Sequence, residues 1–445
     1  MSFAKDFVWG VATAAYQIEG GAYEGDKGLN GWDVGSRTPG RVFEGHSGDV
    51  GCDHFHHMKE DVALMQRMGV KNYRFSVNWA RVMPHGTGEV SAAGAQFYID
   101  LLKELRRAGI TPWVTLFHWD YPYELQCKGG WLNPESPAWF ENYCRVCAEL
   151  FGEYADHFIL INEPQCFVEL GHFQGTHAPF LRLSRAEVLA CAHNVLLGFA
   201  KGEKVVRAVC KRPVKIGFAQ AFGPAMPYTD ADTELARRDT FACHNGLFSG
   251  NFWVDPLVFG HYPEEFLPWM AENGFTPPAD DLKCQIDFYG VNTYTGRYVT
   301  AGKNGEAVGV TPKPSVPKTD MRWDVFPDSL YWGAKFLYER YRLPIIYTEN
   351  GVALTEWKTL EGTVNDDCRI DFIKRYLRSL HRAAQEVDVK GYFYWSFMDN
   401  FEWAEGFSKK FGLIHIDYDT LVRTPKKSAF FYKKVMESNG EEIFK

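Results

Sequence analysis

Short apolar runs, each closing on a polar or turn-forming residue, alternate along this chain with longer stretches of helical spacing. The runs cover residues 7–13, 73–77, 111–117, 158–161, 215–219, 286–292, 343–346 and 391–396. Runs of that length bounded by Gly, Pro, Asn or Asp predict buried strands. Between them, residues 62–69, 96–108, 138–154, 185–209, 232–245, 329–341, 368–386 and 427–437 carry apolar positions at helical spacing. Asp53 stands where the first helix needs an N-cap, and Gly69 where that helix must stop.

Eight strand-then-helix alternations in one uninterrupted chain predict an α/β architecture. The expected form is a single (β/α)8 TIM barrel with long βα loops, residues 1–445 making one catalytic domain. The pattern is faintest in the fifth and sixth units. Residues 21–49 read as a glycine-rich loop on the carboxyl side of the first strand. Residues 301–318, rich in Gly, Pro and Lys, read as a surface loop.

A closed barrel gathers whatever polar residues stand at the carboxyl ends of its strands into one mouth. On this assignment Gln17, His118, Glu163, Tyr294, Glu349 and Trp395 converge there. Glu163 ends an apolar run and precedes Pro164; Glu349 stands in Thr348-Glu349-Asn350-Gly351 after another. A lone glutamate at a strand end is more often an ion-pair or capping residue, and a lone Gln17 a polar loop residue. Two glutamates in one mouth, however, are what glycosidic-bond hydrolysis needs. The aromatic content, 14 Trp, 22 Tyr and 34 Phe, fits the apolar faces of a sugar as well as ordinary core packing.

Charge narrows the classes further. A net charge of −8 with no long basic run argues against a nucleic-acid surface. No stretch has the length and apolarity of a membrane span, and the start lacks the apolar core of a signal peptide. A cytoplasmic protein with its 10 cysteines as reduced, buried thiols is the expectation. His54, His56 and His57 beside Cys52 and Asp53 invite a metal reading. Their order lacks a zinc spacing, so neither metal nor cofactor is expected.

Several stretches then resemble glycoside hydrolase family one, the retaining β-glycosidases. They are residues 7–20, Tyr73-Arg74-Phe75-Ser76, His118-Trp119-Asp120, Asn162-Glu163-Pro164, Thr348-Glu349-Asn350-Gly351, residues 395–407 and Arg423-Thr424-Pro425-Lys426, in the family's order. The resemblance implies Glu163 as acid/base and Glu349 as nucleophile, with Arg74 paired to the nucleophile. It implies a sugar pocket of Gln17, His118, Asn162, Trp395, Glu402 and Trp403, with Tyr294 beside Glu349. Trp119 and Asn292, at neighbouring strand ends, are counted with these, and Trp323 as an aglycone platform.

The chain departs from the family at Leu160, where Thr is usual, and at Gln165, where many members carry Trp. The implied activity is exo-hydrolysis of terminal non-phosphorylated β-D-glucosyl residues, with β-D-galactosyl and β-D-fucosyl residues second. Small β-glucosides such as cellobiose or aryl β-glucosides are the expected partners. A transglycosidase and a 6-phospho-β-glycosidase are the alternatives, the second disfavoured by Glu402 unless that residue merely pairs with Lys409 or Lys410. Arg74 is expected to lower the pKa of Glu349, and burial with a second negative charge to raise that of Glu163.

Overall fold

The computed structural model describes residues 2–445. Eight strands close into a barrel in sequence order: Val8–Ala12 (β1), Asn72–Ser76 (β2), Thr111–Phe117 (β3), His157–Asn162 (β4), Lys215–Ala221 (β5), Phe288–Asn292 (β6), Ile345–Asn350 (β7) and Val389–Trp395 (β8). Every pairing is parallel, from Gly10 opposite Asn72 between β1 and β2 to Val8 opposite Gly391 between β1 and β8. Closure removes the edges, and both faces are buried, which is why the strands read as nearly continuous apolar runs.

Trp113, Ile159, Phe288, Ile346 and Phe393 meet inside the barrel. Their neighbours face the helices: the Tyr347 hydroxyl donates to the Leu330 carbonyl at 2.5 Å. The long helices are His54–Arg67 (α1), Ala92–Arg107 (α2), Ser136–Phe151 (α3), Arg185–Val209 (α4), Asp328–Tyr341 (α5), Asp367–Ala384 (α6) and Lys427–Glu437 (α7). Ser184 and Glu187 form a reciprocal cap at the start of α4. No described helix is long and apolar enough to cross a membrane.

Four local expectations need correction. Asp53 precedes α1 but makes no side-chain cap; its φ is 54° and its carboxylate binds His56 Nδ1 at 2.6 Å instead. α2 starts before residue 96 because the Ser91 hydroxyl accepts the Gly94 N–H at 2.9 Å. The helix expected over 232–245 ends at Thr240, whose hydroxyl donates back to Ala236 O at 2.8 Å while accepting from Ala225 N at 3.0 Å. Residues 301–318 are only partly loop. Arg297–Ala301 and Ala307–Gly309 form an antiparallel hairpin, turned at Gly305 (φ 82°), that joins Ala225–Pro227 in a small sheet.

The ten thiols are all free; Cys52, Cys144, Cys147, Cys166 and Cys191 are buried, but Cys127 and Cys368 are exposed.

Candidate active site

Both strands that end in the candidate carboxylates are irregular just before them. The register of β4 on β5 shifts between Ile159 and Asn162, and that of β7 on β6 between Tyr347 and Glu349. A shift of this kind re-aims a side chain that strict alternation would turn away. Asn162 consequently points into the barrel, where its Oδ1 accepts from Arg74 Nη2 at 2.6 Å and Asn292 Nδ2 at 3.1 Å. Trp119 (φ 74°), Glu163 (φ 44°) and Trp403 (φ 48°) all adopt left-handed backbone at this mouth. Each costs roughly 1–3 kcal/mol and persists only where packing over-determines it.

Glu349 lies against a cation and a phenol. Its Oε1 accepts from Arg74 Nη1 at 2.5 Å and its Oε2 from the Tyr294 hydroxyl at 2.6 Å. Arg74 is held in place by donating also to Thr348 O at 3.1 Å and Thr115 Oγ1 at 3.2 Å. Glu163 has no cation in direct contact; its Oε1 accepts from Asn292 Nδ2 at 2.8 Å. Burial first, and the Glu349 charge second, push the Glu163 carboxyl up to about 8, against the opposing pull of Asn292, Cys166 and Arg74.

The expected downward shift of Glu349 is not met. Burial raises it above the ordinary carboxylate range, outweighing Arg74, Tyr294 and Asn292, which pull it down. The two roles are still separated, because only Glu349 is paired directly with a cation.

The remaining residues form a polar floor and an aromatic wall. Arg74 fixes the Asn162 amide so that Nδ2 donates to His118 Nε2 at 3.0 Å. That leaves the His118 proton on Nδ1, a buried atom with no protein partner. Burial and the Arg74 charge hold this imidazole neutral, well below its usual pKa. Gln17 spends its amide protons on Asn400 Oδ1 at 3.0 Å, Phe401 O at 2.8 Å and Glu402 Oε2 at 3.4 Å. Its Oε1 is buried without a partner. One donor and one acceptor thus stand unspent, as recognition of hydroxyl groups requires.

His118 stacks between Trp395 (5.9 Å) and Trp403 (5.8 Å), and Trp403 also meets Trp119 at 4.6 Å. Trp323 packs on Tyr294 at 5.2 Å, on the nucleophile side. Glu402 is pushed up to about 8 by burial, then by Glu349, Glu163 and Glu405, with Gln17 opposing. Lys409 pairs with Glu405 at 3.4 Å and Lys410 donates to Glu356 O at 2.8 Å, so neither neutralises Glu402.

The residues expected from the sequence are therefore brought together, but two have duties among the protein's own groups. Asn292 spends its N–H donors on Asn162 and Glu163, and the Trp119 indole donates to Asn162 O at 3.0 Å. Thr115, behind Arg74, and Trp32, 4.9 Å from Trp403, were missed; neither has a local sequence signal. Asn400 lay inside the stretch 395–407 and could have been named. His56 and His57 are spoken for by Asp53, Glu24 and Glu60 on the outside of the barrel.

Comparison with known proteins bears directly on this geometry. The sequence profile described as Glycosyl hydrolase family 1 matches residues 1–441. β-Glucosidase A of Thermotoga maritima is 39% identical over 445 residues, 99% of each chain. An aryl-phospho-β-D-glucosidase of Bacillus subtilis is 35% identical over 478 residues, covering 99% of this chain and 98% of its own. A solved family 1 β-glucosidase from Thermotoga maritima superposes with a TM-score of 0.90 at 38% identity over 99% of both chains. By profile, sequence and fold together, the chain belongs to glycosyl hydrolase family 1.

Proposed function

We propose that this protein is a retaining β-glucosidase that removes terminal, non-phosphorylated β-D-glucosyl residues from small β-glucosides. Cellobiose and aryl β-glucosides are the substrates meant, and residues 1–445 act as one catalytic domain. Site residues drawn from Gln17 to Trp403, and a family match over 1–441, support that extent. A cytoplasmic setting accords with ten unpaired thiols.

In the first step the Glu349 carboxylate attacks the anomeric carbon as the glycosidic C–O bond breaks. Glu163 gives its proton to the departing oxygen, leaving a glycosyl ester on Glu349. With its pKa near 8, Glu163 holds that proton at neutral pH. Esterification then removes the negative charge that had helped to raise Glu163, so Glu163 becomes the better base. It takes a proton from water, whose oxygen attacks the anomeric carbon from the face the aglycone left. Glu349 is released and the β configuration returns. Arg74 and Tyr294 receive the carboxylate at both ends of the cycle. The carboxyl separation this chemistry needs is about 5–5.5 Å.

The observation that carries the choice of sugar is Glu402. It sits beside Gln17 without a cationic partner and shares a field with Glu349 and Glu163. Its two oxygens suit the 4- and 6-hydroxyls of a hexoside, with Trp403 covering the ring. A 6-phosphate would bring a dianion next to the Glu349 carboxylate and against a buried Glu402 carboxyl that offers it no cation, while Arg74 is engaged by Glu349 and Asn162.

The test compares kcat/KM for p-nitrophenyl β-D-glucoside and its 6-phosphate in the wild type and in Glu402→Ser. The wild type should favour the unphosphorylated substrate by roughly a hundredfold or more, and Glu402→Ser should narrow the gap. A wild-type preference for the phosphate would overturn this assignment.

A further inference from the structure

The loop leaving β8 carries Trp395 at its root and Glu402 and Trp403 at its tip. Its two legs are zipped together: Leu413 N–H donates to Ser396 O at 3.0 Å, Ile414 N–H to Phe397 O at 2.9 Å, and Asp399 N–H to Ile414 O at 2.9 Å. Asp399 is the last zipped residue of the outgoing leg. Its carboxylate, fully buried, accepts Gly412 N–H at 2.9 Å and Lys426 Nζ at 2.8 Å. Gly412 leaves no slack, since a Cβ there would lie 2.0 Å from Asp399 N.

Lys426, at the head of α7, is fully buried as well and also pairs with Glu356. Glu356 is gripped by Arg369 Nη2 at 2.7 Å. The same guanidinium donates to Lys410 O at 3.0 Å and Phe411 O at 3.1 Å on the returning leg, and to Asp366 at 2.9 Å. One buried polar cluster thus grips both legs of the sugar-binding loop from below. Gln17 holds the tip from across the mouth through Asn400 and Phe401.

The chemistry at Glu163 and Glu349 makes no use of these charges. A buried ion pair is also a weak source of stability, because desolvation offsets most of its attraction. What such a cluster supplies is a single geometry. We propose that Lys426 and Asp399 are positioning residues for Glu402 and Trp403, and that through them the buried pair sets the preference for a hexoside over a pentoside. The pair fixes the height of the loop tip, and hence whether the Glu402 carboxyl reaches the 6-hydroxyl. This rests on the reading that Glu402 takes the 4- and 6-hydroxyls.

The experiment measures kcat/KM for p-nitrophenyl β-D-glucoside and for the β-D-xyloside, which lacks the 6-hydroxymethyl group. It compares wild type, Glu402→Gln, Lys426→Met and the double variant Asp399→Asn/Lys426→Met. Lys426→Met alone strands a buried carboxylate and risks unfolding. The double variant removes both charges while leaving an acceptor for Gly412 N–H, so it decides the matter.

Glu402→Gln should hurt the glucoside more than the xyloside. The double variant, folded by near-ultraviolet circular dichroism, should reproduce that selectivity: roughly a tenfold fall on the glucoside against less than about threefold on the xyloside. If Glu402→Gln is selective while the double variant is unchanged, or loses both substrates equally, the positioning role is overturned. If Glu402→Gln itself shows no selectivity, the sugar-pocket reading fails and takes this inference with it.

Discussion

Glu163 keeps its proton to about pH 8 because it is buried, faces Glu349 and has no cation in direct contact. Glu349 must instead be ionised to attack, with Arg74 and Tyr294 stabilising the charge against burial. The pH profile of kcat/KM should therefore be a bell whose alkaline limb lies near 8 and belongs to Glu163. Glu402 titrates near the same value, so the comparison is made in a Glu402→Gln background. Adding Glu163→Gln there, assayed with 2,4-dinitrophenyl β-D-glucoside, which needs no protonation, should remove that limb. A limb that persists there contradicts the assignment.

Glu402 carries a stability consequence of the same physics. Its folded pKa, about 8, lies above the ordinary value of 4.5, so the folded state binds the proton more tightly than the unfolded chain. That contribution is complete below about pH 4.5 and is lost as pH rises through about 8. Glu402→Gln should leave the thermal midpoint at pH 4 nearly unchanged and stabilise the protein at pH 9. After screening at the open mouth, the gain should be roughly 1–3 kcal/mol. Equal midpoints at pH 9 would show that Glu402 ionises there without strain.

At the scale of elements, the register shifts of β4 and β7 do as much for the site as the residues they carry. Gly351, just past β7, shows how tightly the neighbouring strand is placed: a Cβ there would lie 1.7 Å from Trp395 O. Both atoms belong to or are fixed by backbone, so Gly351→Ala must push β7 and β8 apart. It should destabilise the protein by about 3 kcal/mol or more and depress activity beyond the loss of folded protein. Thermal unfolding with active-site titration checks this; a wild-type midpoint and turnover would refute it.

The same elements show what was legible beforehand. β4 and β7 could be read because each is an unbroken apolar run ended by Asn-Glu-Pro or Glu-Asn-Gly. The hairpin over Arg297–Gly309 was hidden by Gly302, Gly305, Gly309 and Lys303. The fifth unit was obscured because three short helices, Thr233–Thr240, Val254–Phe259 and Phe266–Glu272, replace one long one. The identity of Glu349 was legible from its motif. That Thr115 steadies its guanidinium partner was not, since no local pattern reports a contact between adjacent strands.

For the whole molecule, the closed barrel is what turns scattered motifs into a site. Arg74 and Glu349 are 275 residues apart in the chain yet share a hydrogen bond of 2.5 Å. Gln17 and Asn400, 383 apart, share one of 3.0 Å. Eight strand-helix repeats announced that closure in advance, while the Lys426–Asp399 cluster beneath the mouth could be seen only in three dimensions.

The central claim is double displacement through a glycosyl ester on Glu349. Incubation with 2,4-dinitrophenyl 2-deoxy-2-fluoro-β-D-glucoside slows the second step more than it slows the first. The enzyme should lose activity in step with release of one dinitrophenolate per chain. Peptide mass spectrometry should then place a single 2-deoxy-2-fluoroglucosyl group on the peptide containing Glu349, and fragmentation should put it on that residue. Steady turnover with no covalent adduct, or an adduct on Glu163 or Glu402, would contradict the account.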